Sequence, residues 1–402
     1  MKSFTLRPLR QFLLVGTALG LLSACSDKPG DTATGAPAPV ASASSSSVTV
    51  ETPVSQGFTT TEVTKFNAPW AMTFLPDGRL LVTEMAGSLH LYDSQTDTTR
   101  EISGVPEVVR VDQGGLGDVV LHPQYASNSL VYISYVEPDG EGLLGAAVAR
   151  ARLALNDSGG ALEDLEVIWR QTPKKSGDGH FGYRIAFDQE GMLWISSSER
   201  KEFEPAQDMN TNLGKILRLN DDGSAPGDNP FVEQGEIAAQ VWSLGHRNIL
   251  GLAFAADGRL WAHEMGPRDG DELNLIERGV NYGYPVVSNG NHYDGTPIPD
   301  HDTRPEFRAP VVTWTPVISP AGFIIYNGDR FPQWQGSGFI GGLSSKSLVR
   351  IEFDGDTARE AERFDMQRRI REIEQGPDGA LWLLEDGTRQ GSGWLLKLTP
   401  QE

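Results

Sequence analysis

"FLPDGRLLVTE", residues 74–84, reads as an apolar run, a tight turn at Asp77-Gly78 and a second apolar run. Short hairpin turns demand positive φ, which glycine adopts freely, so this is a strand, turn and strand. The pattern returns as "FDQEGMLWISS" (187–197), "FAADGRLWAHE" (254–264) and "GPDGALWLLED" (376–386). Two segments repeat it with longer turns, "LHPQYASNSLVYISY" (121–135) and "YNGDRFPQWQGSGFIGG" (326–342). The six hairpins lie roughly 45 to 80 residues apart.

One hairpin cannot bury its own apolar face, and an exposed strand edge invites pairing with other chains. Six related sheets packed radially solve both problems, so the repeat predicts an all-β, six-bladed β-propeller. A pair of β-sandwich domains is the competing architecture, but it would not repeat the Asp-Gly hairpin so regularly. The 45 glycines and 25 prolines suit a turn-rich chain. Helical periodicity is confined to short candidates near 359–364.

Outside the repeats, residues 1–25 place Lys2, Arg7 and Arg10 ahead of "FLLVGTALGLL" and end in "LSAC". A cationic start, an apolar stretch too short to span a bilayer and a terminal cysteine are the marks of a lipoprotein signal. Cys25, the single cysteine, is its expected acylation point, so the mature chain has no thiol for disulfides or zinc. Residues 26–50 are rich in Ser, Ala, Pro and Gly and read as a flexible tether. Residues 51–402 then form the propeller domain, periplasmic and held to a membrane only through the anchor. Ser26 favours the outer membrane. Removing the leader, with three cations and no acid, takes the formal net charge of −20 to −23, which argues against a nucleic-acid partner.

Counting back from the turn glycines locates a set of polar residues. Asn67, His180 and Arg247 lie 11 positions before Gly78, Gly191 and Gly258, and Arg369 lies 10 before Gly379. Aligning Pro123 with Pro76 puts Gln113 within a position of the same place. If the apolar strand after each is innermost, these five residues line one mouth of a central channel. Arg369 and Arg371 are two apart and project to one face of a strand, where paired cations call for an anionic partner. "HEMGPRDGDELN" (263–274) collects hard oxygen donors of the kind calcium takes, or else forms a solvated acidic turn.

The chain resembles the glucose/sorbosone dehydrogenase family, in particular its soluble pyrroloquinoline quinone (PQQ)-dependent aldose sugar dehydrogenases. The likeness runs over residues ~60 to 398 through "PWAMTFLPDGRLLVTE", "QGGLGDVVLHPQY", "HFGYRIAF", "GKILRLNDDGSAPGDNPF", "GHRNILGLAF", "EMGPRDGDELNLIERGVNYGYP", "PIPDHDTRPEF" and "RIREIEQGPDG". The resemblance implies a six-bladed propeller and oxidation of an aldose at its anomeric carbon to a lactone, by hydride transfer to PQQ with the help of Ca²⁺. It implies His180 as the base, and Gln113, Arg247, Asn248, Tyr293, Arg369 and Arg371 as cofactor contacts. Gly266 and Pro267 match carbonyl positions at a catalytic calcium, while Glu272 and Tyr282 match a structural one. Electrons would pass to a quinone or small redox carrier.

Three positions depart from the family pattern. Tyr183 stands where a small residue is usual and would narrow the sugar pocket or turn outward. Ser344 stands where some relatives carry a cofactor-binding lysine, with Lys346 two residues on. Ala321 replaces the more usual serine. Two rival functions are a non-catalytic binding propeller and a metal-dependent lactonase. The latter would need carboxylate and Asn ligands at the channel centre, where the sequence is expected to place Arg, His and Gln.

Overall fold

The computed structural model describes residues 57–389 and 391–401. The leader, Cys25 and the tether lie outside the described residues. Among those described, no helix is long and apolar enough to cross a membrane.

Almost all regular structure is β. Each Asp-Gly or Glu-Gly signal forms the turn it promised, and the four turns share one backbone pattern. In the first, Leu75 N–H donates to the Arg79 carbonyl (2.8 Å) and Gly78 N–H donates to Leu75 (2.9 Å). Gly78 has φ +89°, the conformation that closes this three-residue loop.

The described residues form four four-stranded sheets and one of eight strands, nearly all antiparallel. The eight-stranded sheet consists of two four-stranded meanders joined edge to edge by two parallel pairs, Ile102 with Gly160 and Ser103 with Ala161. A Cβ at Gly159 would lie 2.4 Å from the Glu101 carbonyl oxygen, so this edge contact requires glycine. Phe58–Phe66 pairs with Gly393–Pro400, so the N-terminal strand completes the sheet of the C-terminal three. Phe66, Met72 and Tyr92 pack with Ala380, Trp382 and Leu395 across that closure.

The first strands of the meanders are Pro69–Phe74, Leu116–Leu121, Gly182–Phe187, Asn248–Phe254, Pro320–Ile325 and Ile370–Gln375. Each touches the next, and the last touches the first. Burial falls outward: Leu80–Glu84 is wholly buried, whereas the fourth strand Thr98–Ser103 is mostly exposed. The architecture is propeller-like, with its chemistry-bearing side chains where the first strands begin. At that point all six pairings to the second strand carry a register shift. Such bulges turn side chains out of the sheet alternation and aim them elsewhere.

One expectation fails. Residues 359–364 are not helical: Thr357–Asp365 is an outer strand paired with Ser347–Asp354. Its exposed residues include Arg359, Glu362 and Arg363, whose helix propensity yields here to the edge pairing offered by the sheet.

Candidate active site

Where the first strands begin, two adjoining cavities of about 570 and 620 Å³ open, and Gln113 lines both. The first holds Asn248, Arg369, Arg371, Tyr183, Ser319 and Ser344; the second holds His180, Glu199, Arg247, Pro267, Phe203 and Tyr293. Four of the five residues found by counting back from the turns therefore meet at one opening. Asn67 does not: it is exposed, and its N–H is capped by Glu84 Oε1 at 2.6 Å.

His180 is only 7% exposed and sits at φ +53°. Its N–H donates to Gln113 Oε1 (3.0 Å), and Nδ1 lies 2.5 Å from Glu199 Oε1. Glu199 is fully buried, with Oε2 accepting the Glu202 N–H at 2.7 Å. With Nδ1 engaged, Nε2 is the ring nitrogen left for chemistry. Burial lowers the imidazole pKa from its ordinary value, opposed by the Glu199 contact, which favours the charged form. The ring is thus neutral near pH 7, with a carboxylate placed to stabilise the imidazolium once a proton is taken.

Glu199 was not singled out from the sequence, although the repeat carries the signal. In three other sheets an acid closing the second strand reaches back to the residue before the first. Glu84 caps Asn67, Glu264 Oε2 accepts the Arg247 N–H (2.5 Å), and Asp386 takes Arg369 Nε (2.7 Å) and Arg371 Nη2 (3.2 Å). Ser319, equivalent to these residues before the fifth first strand, was also missed because its hairpin has a long, irregular turn.

The first cavity is electropositive. Arg110, Arg369, Arg371 and Arg389 line it against a single acid, Asp112. Burial alone would raise Asp386, but Arg371 and Arg369 bring it down to about 2, so it stays ionised and spends its charge on two of those arginines. Buried polar atoms remain without partners: Asn248 Oδ1 and Arg371 Nε in this cavity, and Arg247 Nε beside it. Buried donors and acceptors are normally satisfied, so these atoms are suited to a polar ligand. A flat, multiply anionic molecule fits them. Tyr183 is buried, lines this cavity and packs on Trp70 with centroids 5.1 Å apart. It thus turns inward beside the arginines and is absent from the lining around His180. A Cβ on Gly117 would lie 2.1 Å from the Tyr183 ring, so that glycine makes room for it. Ser344 lines the cavity, whereas Lys346 is exposed on a turn at φ +52° and does not.

Arg247 lines the second cavity and a small one behind it. Its Nη1 donates to the carbonyls of Met265 (2.8 Å) and Gly266 (2.5 Å), and Nη2 reaches the Tyr293 hydroxyl at 3.4 Å. Tyr293 is 72% exposed and stands on the rim with Phe203. Gly266, Pro267, Glu272 and Tyr282, the four residues assigned to calcium, share one small cavity of about 10 Å³ with Glu264. Asn274 Nδ2 donates to both Glu264 Oε1 and Glu272 Oε2 at 3.2 Å. Burial, and then Glu264, pushes the Glu272 carboxyl well above the usual range. Two buried acids on one amide are a donor set that a hard divalent cation would relieve. At the other assignment the donors are carbonyls, and that of Gly266 already accepts from Arg247. Among the described residues, no group of three or more His, Cys, Asp or Glu is arranged for a metal.

The glucose/sorbosone dehydrogenase family model matches residues 66–397. The chain belongs to the glucose/sorbosone dehydrogenase family. Aldose sugar dehydrogenase YliI of Escherichia coli is 39% identical over 345 residues, 84% of this chain and 91% of that protein. Quinoprotein glucose dehydrogenase B of Acinetobacter calcoaceticus is 28% identical over 316 residues, 73% of this chain and 65% of that protein. Among solved structures, the apo-form of the E. coli soluble aldose sugar dehydrogenase superposes with TM-score 0.79 at 37% identity, covering 86% of this chain and all of that one. The PQQ-bound aldose sugar dehydrogenase of Streptomyces coelicolor superposes with TM-score 0.71 at 29% identity, covering 86% and 98%. As a glucose/sorbosone dehydrogenase family member, the protein is an oxidoreductase.

Proposed function

We propose that this protein oxidises aldose sugars at the anomeric carbon to lactones, using PQQ and calcium, with His180 as the base. The single observation that carries this reading is the pairing of the two cavities: an arginine-lined one with orphaned polar atoms beside one holding a neutral, carboxylate-backed histidine. In this reading the eight-stranded sheet counts as two blades, giving a six-bladed propeller.

Bound PQQ supplies a quinone that accepts hydride, and its carboxylates match the charge of the first cavity. Arg369 and Arg371, already oriented by Asp386, would meet those carboxylates with charge-assisted hydrogen bonds, and Asn248 and Gln113 would offer amides. Tyr183 and Trp70 supply flat apolar surface. In the second cavity, His180 Nε2 takes the proton of the anomeric hydroxyl while Glu199 stabilises the resulting imidazolium. Phe203 and Tyr293 offer aromatic faces to the sugar at the rim. Gly266 and Pro267 would hold the catalytic calcium through their carbonyls. The ion there would act as a Lewis acid. Glu272, with Glu264, and Tyr282 would hold the structural ion. Through Cys25 the enzyme would be lipid-anchored in the periplasm, outer membrane favoured, handing electrons to a quinone or small redox carrier.

The test is reconstitution. Purified apoprotein should reduce a redox dye in the presence of aldoses only after PQQ and Ca²⁺ are added. No activation across a panel of aldoses would overturn the reading.

A further inference from the structure

Arg200 is a buried cation that the chemistry above does not use. It is 2% exposed, and among the described residues no carboxylate lies within ion-pair distance of its guanidinium. Instead it donates to backbone carbonyls from three directions: Nε to Gly179 (3.0 Å), Nη2 to Gly177 (2.9 Å) and Nη1 to Leu144 (2.5 Å). Its own N–H donates to the His180 carbonyl at 3.2 Å, and its guanidinium lies 3.8 Å from the Phe181 ring centroid. Residues 177–181 are therefore wrapped around one planar fork.

The two segments it joins are conformationally costly. His180 has φ +53°, and Arg200, Lys201 and Phe203 have φ +63°, +60° and +61°. Non-glycine residues held this way are strained and persist only where surrounding contacts over-determine them. The Gly179 Cα faces the Lys201 side chain so closely that a Cβ would come within 2.4 Å of it. Glu199, at the head of the second segment, bears the oxygen that meets His180.

We propose that Arg200 is a positioning residue for the base: its guanidinium clasps the 177–180 loop against the 199–203 segment and so holds the His180 ring on Glu199. The proposal rests on His180 being the base. Lysine in its place keeps the charge but has one nitrogen, which cannot satisfy three divergent carbonyls.

The experiment compares wild type, Arg200→Lys, His180→Ala and Arg350→Lys as PQQ- and Ca²⁺-reconstituted proteins. Arg350 is a buried arginine paired with Glu362 between outer strands, and serves as the control for lost stability alone. Arg200→Lys is expected to lower kcat by about 10- to 100-fold, as a misplaced catalytic group does, with PQQ affinity and sugar KM within about twofold. The groups facing the imidazole are Glu199, Arg247 and Lys201, and burial is the largest influence on it. Loosening the loop should thus move the acid limb of the pH profile up, towards an ordinary histidine. If Arg200→Lys merely lowers the unfolding temperature, as Arg350→Lys does, while kcat and the acid limb stay put, the proposal is wrong. It is also wrong if PQQ affinity falls in step with kcat. Should Arg200→Lys not fold, Arg200→Ala assayed with ethylguanidinium replaces it, and absence of any kcat rescue overturns the proposal. Unimpaired turnover in His180→Ala would instead sink the base assignment itself.

Discussion

Where the first strands begin, Arg369 and Arg371 share the single acid Asp386; two or three residues further along the same strands, Arg184 sits among Asp118 and Glu372. The inner region encloses a cavity of about 180 Å³, lined from all six first strands. There Arg184 is ion-paired with Glu372, lies 3.5 Å from Asp118 and covers Trp70 with its guanidinium 4.0 Å from the ring centroid. The inner region sets three acids, Asp118, Glu372 and Glu374, against one arginine, whereas the mouth keeps a surplus of cation. The same strands thus hold charge in two ways: acids gathered round one arginine within the channel, and arginines with a single shared acid at its mouth. The sequence reading placed Arg, His and Gln at the channel centre; the structure adds these carboxylates further in. They face Arg184, so they offer no open metal-ligand set.

Mutations that treat the two regions alike would break this contrast. The largest expected effect lies at the mouth: His180→Ala should lower kcat by about 10²- to 10⁴-fold, the usual worth of a positioned base, with PQQ still bound. Stopped-flow reduction of the bound cofactor by sugar measures this directly. Next, Arg184→Met leaves Glu372 and Asp118 buried without their cation, which should cost about 3–5 kcal/mol in denaturant unfolding while PQQ affinity changes little. An equal loss of PQQ affinity would mean that the regions are one. Glu199→Gln should lower kcat by about 10²-fold at the weak end of that range. Because Glu199 raises the imidazole pKa, its loss should shift the acid limb to lower pH, read from kcat against pH.

The smallest effect sharpens the account of Asp386. Its folded pKa of about 2 lies below the ordinary value, so it stabilises the fold at pH above about 4. That contribution, about 2 kcal/mol, is lost as pH falls through about 2. Unfolding temperatures between pH 4 and pH 2 should therefore fall less steeply in Asp386→Asn than in wild type.

Much of this was legible in the chain because a radial repeat writes the same instruction several times. Asp77-Gly78 and its counterparts marked the hairpins, and a fixed distance back from them found His180, Arg247 and Arg369. Glu199 escaped because its role depends on a side chain returning across a sheet, which spacing shows only after the Glu84 and Glu264 examples are known. Ser319 escaped because residues 326–337 stretch the fifth turn. The strand at 357–365 was misread because an outer edge buries little, here only Phe364 fully, and so imposes no regular alternation. The Asp118, Arg184 and Glu372 cluster escaped for the opposite reason. These residues lie within short, bulged apolar strands, where the register shift decides which side chains face the axis.

The most direct measurement is a titration of purified apoprotein with PQQ, followed by cofactor absorbance, in wild type and in the Arg369→Gln/Arg371→Gln double variant. Wild type should bind one equivalent saturably, and the variant should bind about 10²-fold or more weakly, given roughly 1.5–3 kcal/mol per charged hydrogen bond. Equal affinity in the two proteins, or no saturable binding in wild type, would contradict an anionic cofactor held by the arginine-lined mouth.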